Sequence, residues 1–71
     1  MQSNEFTLRG TVKRIDLGTG FWGIVGEDGR EYRPVNLSAD LQKNGAKVVL
    51  RVVPDDESMS MFMWGEPVRV L

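Results

Sequence analysis

Apolar and polar residues alternate along most of the chain with a period of two. Phe6, Leu8 and Val12 share one parity, with Gly10 between them, whereas Ile15 and Leu17 fall on the other. Successive side chains of a strand point to opposite faces, so a parity switch inside a strand predicts a bulge or bend. It falls near Lys13 and Arg14, with Gly10 easing a second bend, as a first strand curls in a small barrel. After the turn Gly18-Thr19-Gly20, residues Phe21 to Val25 predict a second strand with apolar residues on both faces. Asp28-Gly29 predicts a hairpin with a type I′ turn, which needs positive φ. A third strand then runs from Arg30 to about Val35. Pro34 has no N–H to donate and belongs at an edge or at the strand's end.

The segment NLSADLQKNG predicts one or two helical turns. Asn36 or Ser38 suits the N-cap, Leu37 and Leu41 are spaced for one face, and Asn44-Gly45 suits the stop. KVVLRVV, ending at Pro54, is the strongest strand signal. The acidic loop DDES and a β segment MSMFMW follow, and Gly65-Glu66-Pro67 interrupts before VRVL. The last strand is therefore expected to be bent or split. Three strands, a short helix and two more strands is the order of the oligonucleotide/oligosaccharide-binding (OB) fold. An SH3-like barrel, the competitor, has a shorter turn where this chain carries NLSADLQKNG. The expected fold is all-β, a five-stranded OB-like barrel with a short helix between strands three and four, as one domain over residues 1–71.

A chain of 71 residues is near the lower limit for a self-sufficient core. Burial at roughly 25 cal/mol per Å² barely exceeds an ordering cost of roughly 1.5 kcal/mol per residue. Most apolar residues are needed inside. Cysteine and histidine are both absent, which removes disulfides, thiolate metal sites, the commonest general base and every Ser-His or Cys-His pair. Nine basic and ten acidic residues give a net charge of −1, whereas phosphate-binding domains carry a basic excess. The opening MQSNEFTLRG has no apolar run, so neither a signal peptide nor a membrane span is expected, and the chain reads as cytoplasmic.

Two resemblances rest on these residues. GTVK at residues 10–13 and GFWGIV at 20–25 resemble the opening strands of bacterial cold-shock domains, which are single-strand nucleic-acid-binding OB barrels. Gly20, Phe21 and Ile24 match the first ribonucleoprotein motif of that family, but Thr19, Trp22 and Gly23 replace its lysine, glycine and second aromatic. In the second motif Ser38 and Ala39 match, while Pro34, Asn36 and Leu37 stand at its stacking Phe, His and Phe positions. Stacking is worth about 1–3 kcal/mol per base, so the likeness implies the barrel and not the binding activity. FWGIVGEDGREYRPVNL, the Gly-Ala-Lys-Val-Val strand and MWGEPVRVL more closely resemble a group of small prokaryotic OB-like proteins without an assigned activity. That likeness implies a bacterial or archaeal barrel and leaves its ligand open.

Phe21, Trp22, Arg30, Tyr32 and Arg33 are the candidate binding residues. Phe21 and Trp22 point to opposite faces, so only one of them fills the interior. Arginines stack on aromatic rings and pair with phosphates, and Arg9 and Lys13 extend the set. Glu27, Asp28 and Glu31 oppose that field, and cross-strand salt bridges are the plainer account. Covering the barrel ends is the plainer account of the aromatics. Asp55-Asp56-Glu57 lacks the spaced oxygens of a calcium site and reads as a solvated turn. Met59, Met61 and Met63 read as core. Asn36 is expected to satisfy backbone groups at the strand-to-helix junction, and Gly65 to permit a bend. No catalytic or metal site and no cofactor is expected.

The expected role is a non-enzymatic binding or interaction module, with a protein partner or an unidentified ligand. The alternative is single-stranded nucleic-acid binding across strands two and three. It requires Trp22 or Phe21, with Tyr32, to be exposed beside Arg30 and Arg33.

Overall fold

The computed structural model describes residues 4–18, 20–55 and 64–71. Five strands alternate with short connections: β1 (Phe6–Ile15), β2 (Phe21–Gly26), β3 (Glu31–Pro34), β4 (Lys47–Pro54) and β5 (Glu66–Val70). They form a closed barrel in the order β1-β2-β3-β5-β4, with β4 returning to β1. Every pairing is antiparallel except β3 with β5. That parallel pair requires the chain to cross over between β3 and β4, which makes the barrel OB-like rather than an up-and-down meander.

Alternation fills the interior as expected. Leu8 and Val12 of β1, Ile24 of β2, Tyr32 of β3, Val48 and Val52 of β4 and Val68 of β5 form the buried core. Phe6, Trp22, Leu37, Leu41, Ala46, Leu50 and Val70 pack around it. Among the described residues Tyr32 is the one large ring fully inside, tilted against Phe6 at 5.8 Å.

β1 serves two sheets. Residues Phe6 to Thr11 pair with β4, and Gly10 to Ile15 pair with β2, so the two ladders overlap only at Gly10 and Thr11. A Cβ at Gly10 would strike the Val25 carbonyl oxygen and come within 2.9 Å of the Gly26 Cα. Gly10 is therefore the point of closest approach between β1 and β2. The bulge expected at Lys13 and Arg14 does not form: pairing with β2 runs without a skipped residue from Gly10↔Gly26 to Ile15↔Phe21. Both residues are exposed for another reason. Beyond Thr11 the strand leaves β4, and loop groups take over its hydrogen bonds. Val12 N–H donates to Ala46 O (2.7 Å), Gly45 N–H donates to Val12 O (2.7 Å), and Arg14 N–H donates to Asn44 Oδ1 (3.0 Å). Arg14 thus emerges at the barrel mouth.

Two further expectations are corrected, and the short helix expected between β3 and β4 is found at its lower limit, one turn. The β2–β3 hairpin is a three-residue loop, Glu27-Asp28-Gly29, closed by Gly26 N–H to Arg30 O (2.7 Å) and Gly29 N–H to Gly26 O (2.9 Å). Only Gly29 (φ 84°) adopts positive φ, so this is a type I turn with a glycine bulge, and no type I′ turn forms. The helix is a single 3₁₀ turn, Ala39–Leu41, and Ser38 makes no side-chain cap. Leu37 and Leu41 still reach the core, but a short connection holds them there. Finally, Glu66 and Pro67 lie inside β5 instead of interrupting it. Thr19, Asp56, Glu57 and the expected β segment with Met59, Met61, Phe62 and Met63 lie outside the described residues.

Asn36 extends the parallel ladder. After Val35 N–H donates to Val68 O (2.8 Å), the Asn36 amide takes the next position with its side chain: Val70 N–H donates to Oδ1 (2.7 Å) and Nδ2 donates to Val70 O (2.9 Å). Each net bond contributes roughly 0.5–1.5 kcal/mol. Asn36→Ala is expected to lower unfolding stability by about 1–2 kcal/mol in urea with an unchanged m-value.

Candidate functional site

Strand parity separates the five candidate residues. Phe21 shares the outer wall with Gly23 and Val25 of β2 and with Thr11, Lys13 and Ile15 of β1, their cross-strand partners. Trp22 lies on the inner parity with Ile24, half-buried at the barrel mouth, with the Arg14 guanidinium 5.6 Å over its ring. Gly20 (φ 86°) makes room for that stack: a Cβ there would lie 3.1 Å from Arg14 Cζ. Tyr32, paired with Ile24 and only 4% exposed, belongs to the core. This corrects its assignment to an exposed aromatic face, because a ring enclosed by all five strands has no surface on which a base can stack.

Arg30 stands apart in the β2–β3 turn. Its guanidinium is held above the ordinary arginine range by a side-chain hydrogen bond with Tyr32, then by the charges of Glu66, Tyr32 and Asp28. Arg33 is half-buried beside Pro67 on the outer wall, and its Nε and Nη2 are buried without a hydrogen-bond partner. The cross-strand salt bridges expected in this hairpin are not formed among the described residues. Asp28 Oδ1 instead accepts the Arg30 N–H (3.0 Å), and the ion pairs join Arg14 to Asp16, Arg51 to Glu5 and Arg69 to Asp55.

One contact of this wall was not legible along the chain. Trp64 packs edge-on against Phe21 (5.6 Å, 62°) and lies across Gly23, where any Cβ would enter its ring. Ile15 Cγ1 would be 3.1 Å from that same Cβ, so Phe21, Ile15 and Trp64 share one apolar patch. The signal was a glycine inside the strand FWGIVG, which marks close approach by another part of the chain.

The register assembles a second feature on the outer wall. Thr7 faces Arg51, Arg9 faces Val49, and Thr11 faces Lys47, with Lys13 in the next row of β1. Arg51, Arg9, Lys47 and Lys13 thus alternate between β4 and β1 in a zigzag, with rows about 6.6–6.8 Å apart. Where β1 passes from one ladder to the other, a groove of about 340 Å³ opens over Thr11. Its walls are Lys13, Val25, Glu27, Lys47 and Val49, and Val49 is 60% exposed. Arg51 is engaged by Glu5 (3.2 Å) and by Thr7 Oγ1 (2.9 Å). Arg9, Lys13 and Lys47 have no ion pair among the described residues.

Among the described residues no three metal-ligating side chains gather, and no helix is long and apolar enough to cross a membrane. Asp55 is not the solvated turn residue expected. It is buried, its N–H donates to Pro67 O (3.0 Å), and its carboxylate faces Arg69 at 3.5 Å. No protein family, curated protein or solved structure matches this chain.

The Trp64–Gly23 contact is testable. In a Trp22→Phe background, Gly23→Ala is expected to push the Trp64 indole outward and shift its emission to the red. Stability should fall by about 1–3 kcal/mol, as for other overpacked sites. An unshifted spectrum would show that Trp64 does not rest on Gly23.

Proposed function

We propose that this chain is a small non-enzymatic binding module that receives a partner on the outer wall of its barrel. The observation that carries the reading is the open groove at the β1–β2–β4 crease, where Lys13 and Lys47 stand opposite a single carboxylate, Glu27, and form no ion pair among the described residues. A purely structural surface pairs such charges or disperses them. The interior is filled, among the described residues, by the side chains of all five strands. The residue types support binding over catalysis: a chain without histidine or cysteine lacks the commonest general base and the commonest nucleophile pairs.

A second reading is single-stranded nucleic-acid binding on the β2–β3 side. One observation favours it: Arg33, beside the strand that follows Trp64, has its Nε and Nη2 buried without a hydrogen-bond partner. Against it, Tyr32 is core, Trp22 faces inward, and Trp64 already occupies the outer surface of Gly23.

Two-dimensional ¹⁵N NMR titration with pooled short peptides of differing charge, and with single-stranded oligonucleotides, tests both. The first reading expects shifts concentrated at Thr11, Lys13, Lys47 and Val49, with the ligand recovered unchanged. Covalent change in a ligand, or shifts confined to inward-facing residues, would overturn it. Salt-sensitive quenching of Trp fluorescence by oligonucleotide, with shifts at Phe21 and Arg33, would instead establish the second.

A further inference from the structure

We infer that the β1/β4 groove binds an extended acidic peptide segment of a protein partner, one with carboxylates at alternate positions. The inference rests on the binding-module reading and names its ligand class.

Three observations select this ligand. The first is spacing. Side chains on one face of an extended chain recur about every 6.6–6.8 Å, the same interval that separates the rows holding Arg9, Lys47 and Lys13. A strand-like ligand laid along β1 therefore presents alternate carboxylates in step with the cations. The second is the apolar content of the groove. Val49 is exposed between Arg9 and Lys47, and Val25 lines the opposite wall, so a ligand must contribute aliphatic as well as anionic contact. The third is what the groove lacks. Among the described residues its lining contains no aromatic ring, and stacking is the term that sequence-tolerant single-strand binders depend on. Glu27 at the rim adds a repulsion that a continuous run of phosphates meets and a peptide avoids by placing a neutral residue there.

Binding through side chains leaves the barrel intact. At the groove β4 is hydrogen-bonded to β1 from Lys47 to Val52, so a ligand over this seam meets side chains and not an open strand edge. The peptide lies across the wall, and its affinity is electrostatic, modest and salt-dependent.

The probe is a fluorescein-labelled peptide with glutamate at every second position and valine or serine between, followed by anisotropy at low and physiological salt. A peptide of the same composition with its glutamates in one block, and a labelled oligothymidylate of equal charge, are the comparators. The alternating peptide is expected to bind about tenfold tighter than either. Lys13→Glu with Lys47→Glu is expected to weaken it at least about tenfold, since both lysines are exposed and each contributes one screened pair. The reversed variant should then prefer the peptide with lysine in place of glutamate. If its melting curve shows misfolding, Lys13→Gln with Lys47→Gln supplies the same comparison. Equal binding of the blocked peptide, tighter binding of oligothymidylate, or affinity unchanged by the double substitution would each overturn the inference. In those cases a ligand from the pools that still shifts outer-wall resonances leaves the binding-module reading standing.

Discussion

The barrel closes around a backbone contact that admits no side chain. Gly10 of β1 faces Gly26 of β2 and Val48 of β4 at once, and a Cβ on Gly10 would collide with the Val25 carbonyl. Because the strands meet this closely, one strand can leave the β4 ladder and enter the β2 ladder within two residues. The remaining geometry follows from that crossing. It places Leu8 and Val12, on either side of Gly10, against opposite halves of a core too small to tolerate a gap. It also turns Arg14 out at the barrel mouth, where Trp22 and Gly20 receive it.

The price of tight closure at β1 is sparse pairing elsewhere. β2 and β3 share only Ile24↔Tyr32 and Val25↔Glu31, so the first half of β2 has no ladder on its far side. Trp64 and Gly65 cover this stretch. The indole lies across Gly23, while Gly65 (φ 75°) runs within 3.2 Å of the Tyr32 backbone, measured from its missing Cβ. Glycines at 10, 23 and 65 therefore do related work: each removes a Cβ where one segment must lie directly on another.

Period-two alternation made the strands and most of the core legible, since each barrel strand has one wet and one dry face. Leu8, Val12, Ile24, Val48, Val52 and Val68 all fall where alternation puts them. The helical spacing of Leu37 and Leu41 does correspond to one 3₁₀ turn that brings both to the core. The errors share a cause: local signals were read without the register. Lys13 and Arg14 resemble a bulge until the end of the β4 ladder explains them. Asp28-Gly29 announces a turn, but the turn type depends on which residues close the hairpin. Of the candidate site, Phe21 and Arg33 were placed on the outer wall, whereas Tyr32 was lost to the core because a single tyrosine gives no sign of which parity its strand will bury.

Net charge was the weakest guide to the surface. A balance of −1 describes the whole chain, but charges act over a screening length of roughly 8 Å in physiological salt. This molecule measures 36 × 26 × 23 Å, several such lengths across. A ligand on one wall therefore responds to the charges of that wall and is largely screened from those at the other end. Arg9, Lys13, Lys47 and Arg51 are scattered over forty positions of a nearly neutral sequence, and only the antiparallel register of β1 with β4 lines them up. Of the carboxylates that offset them in the sum, Asp28, Glu31 and Glu66 lie around the β2–β3 hairpin and its β5 neighbour, whereas Glu27 stands at the rim of the groove and Glu5 pairs with Arg51. The topology that makes the barrel therefore also divides its charge, and a basic face exists here without a basic composition.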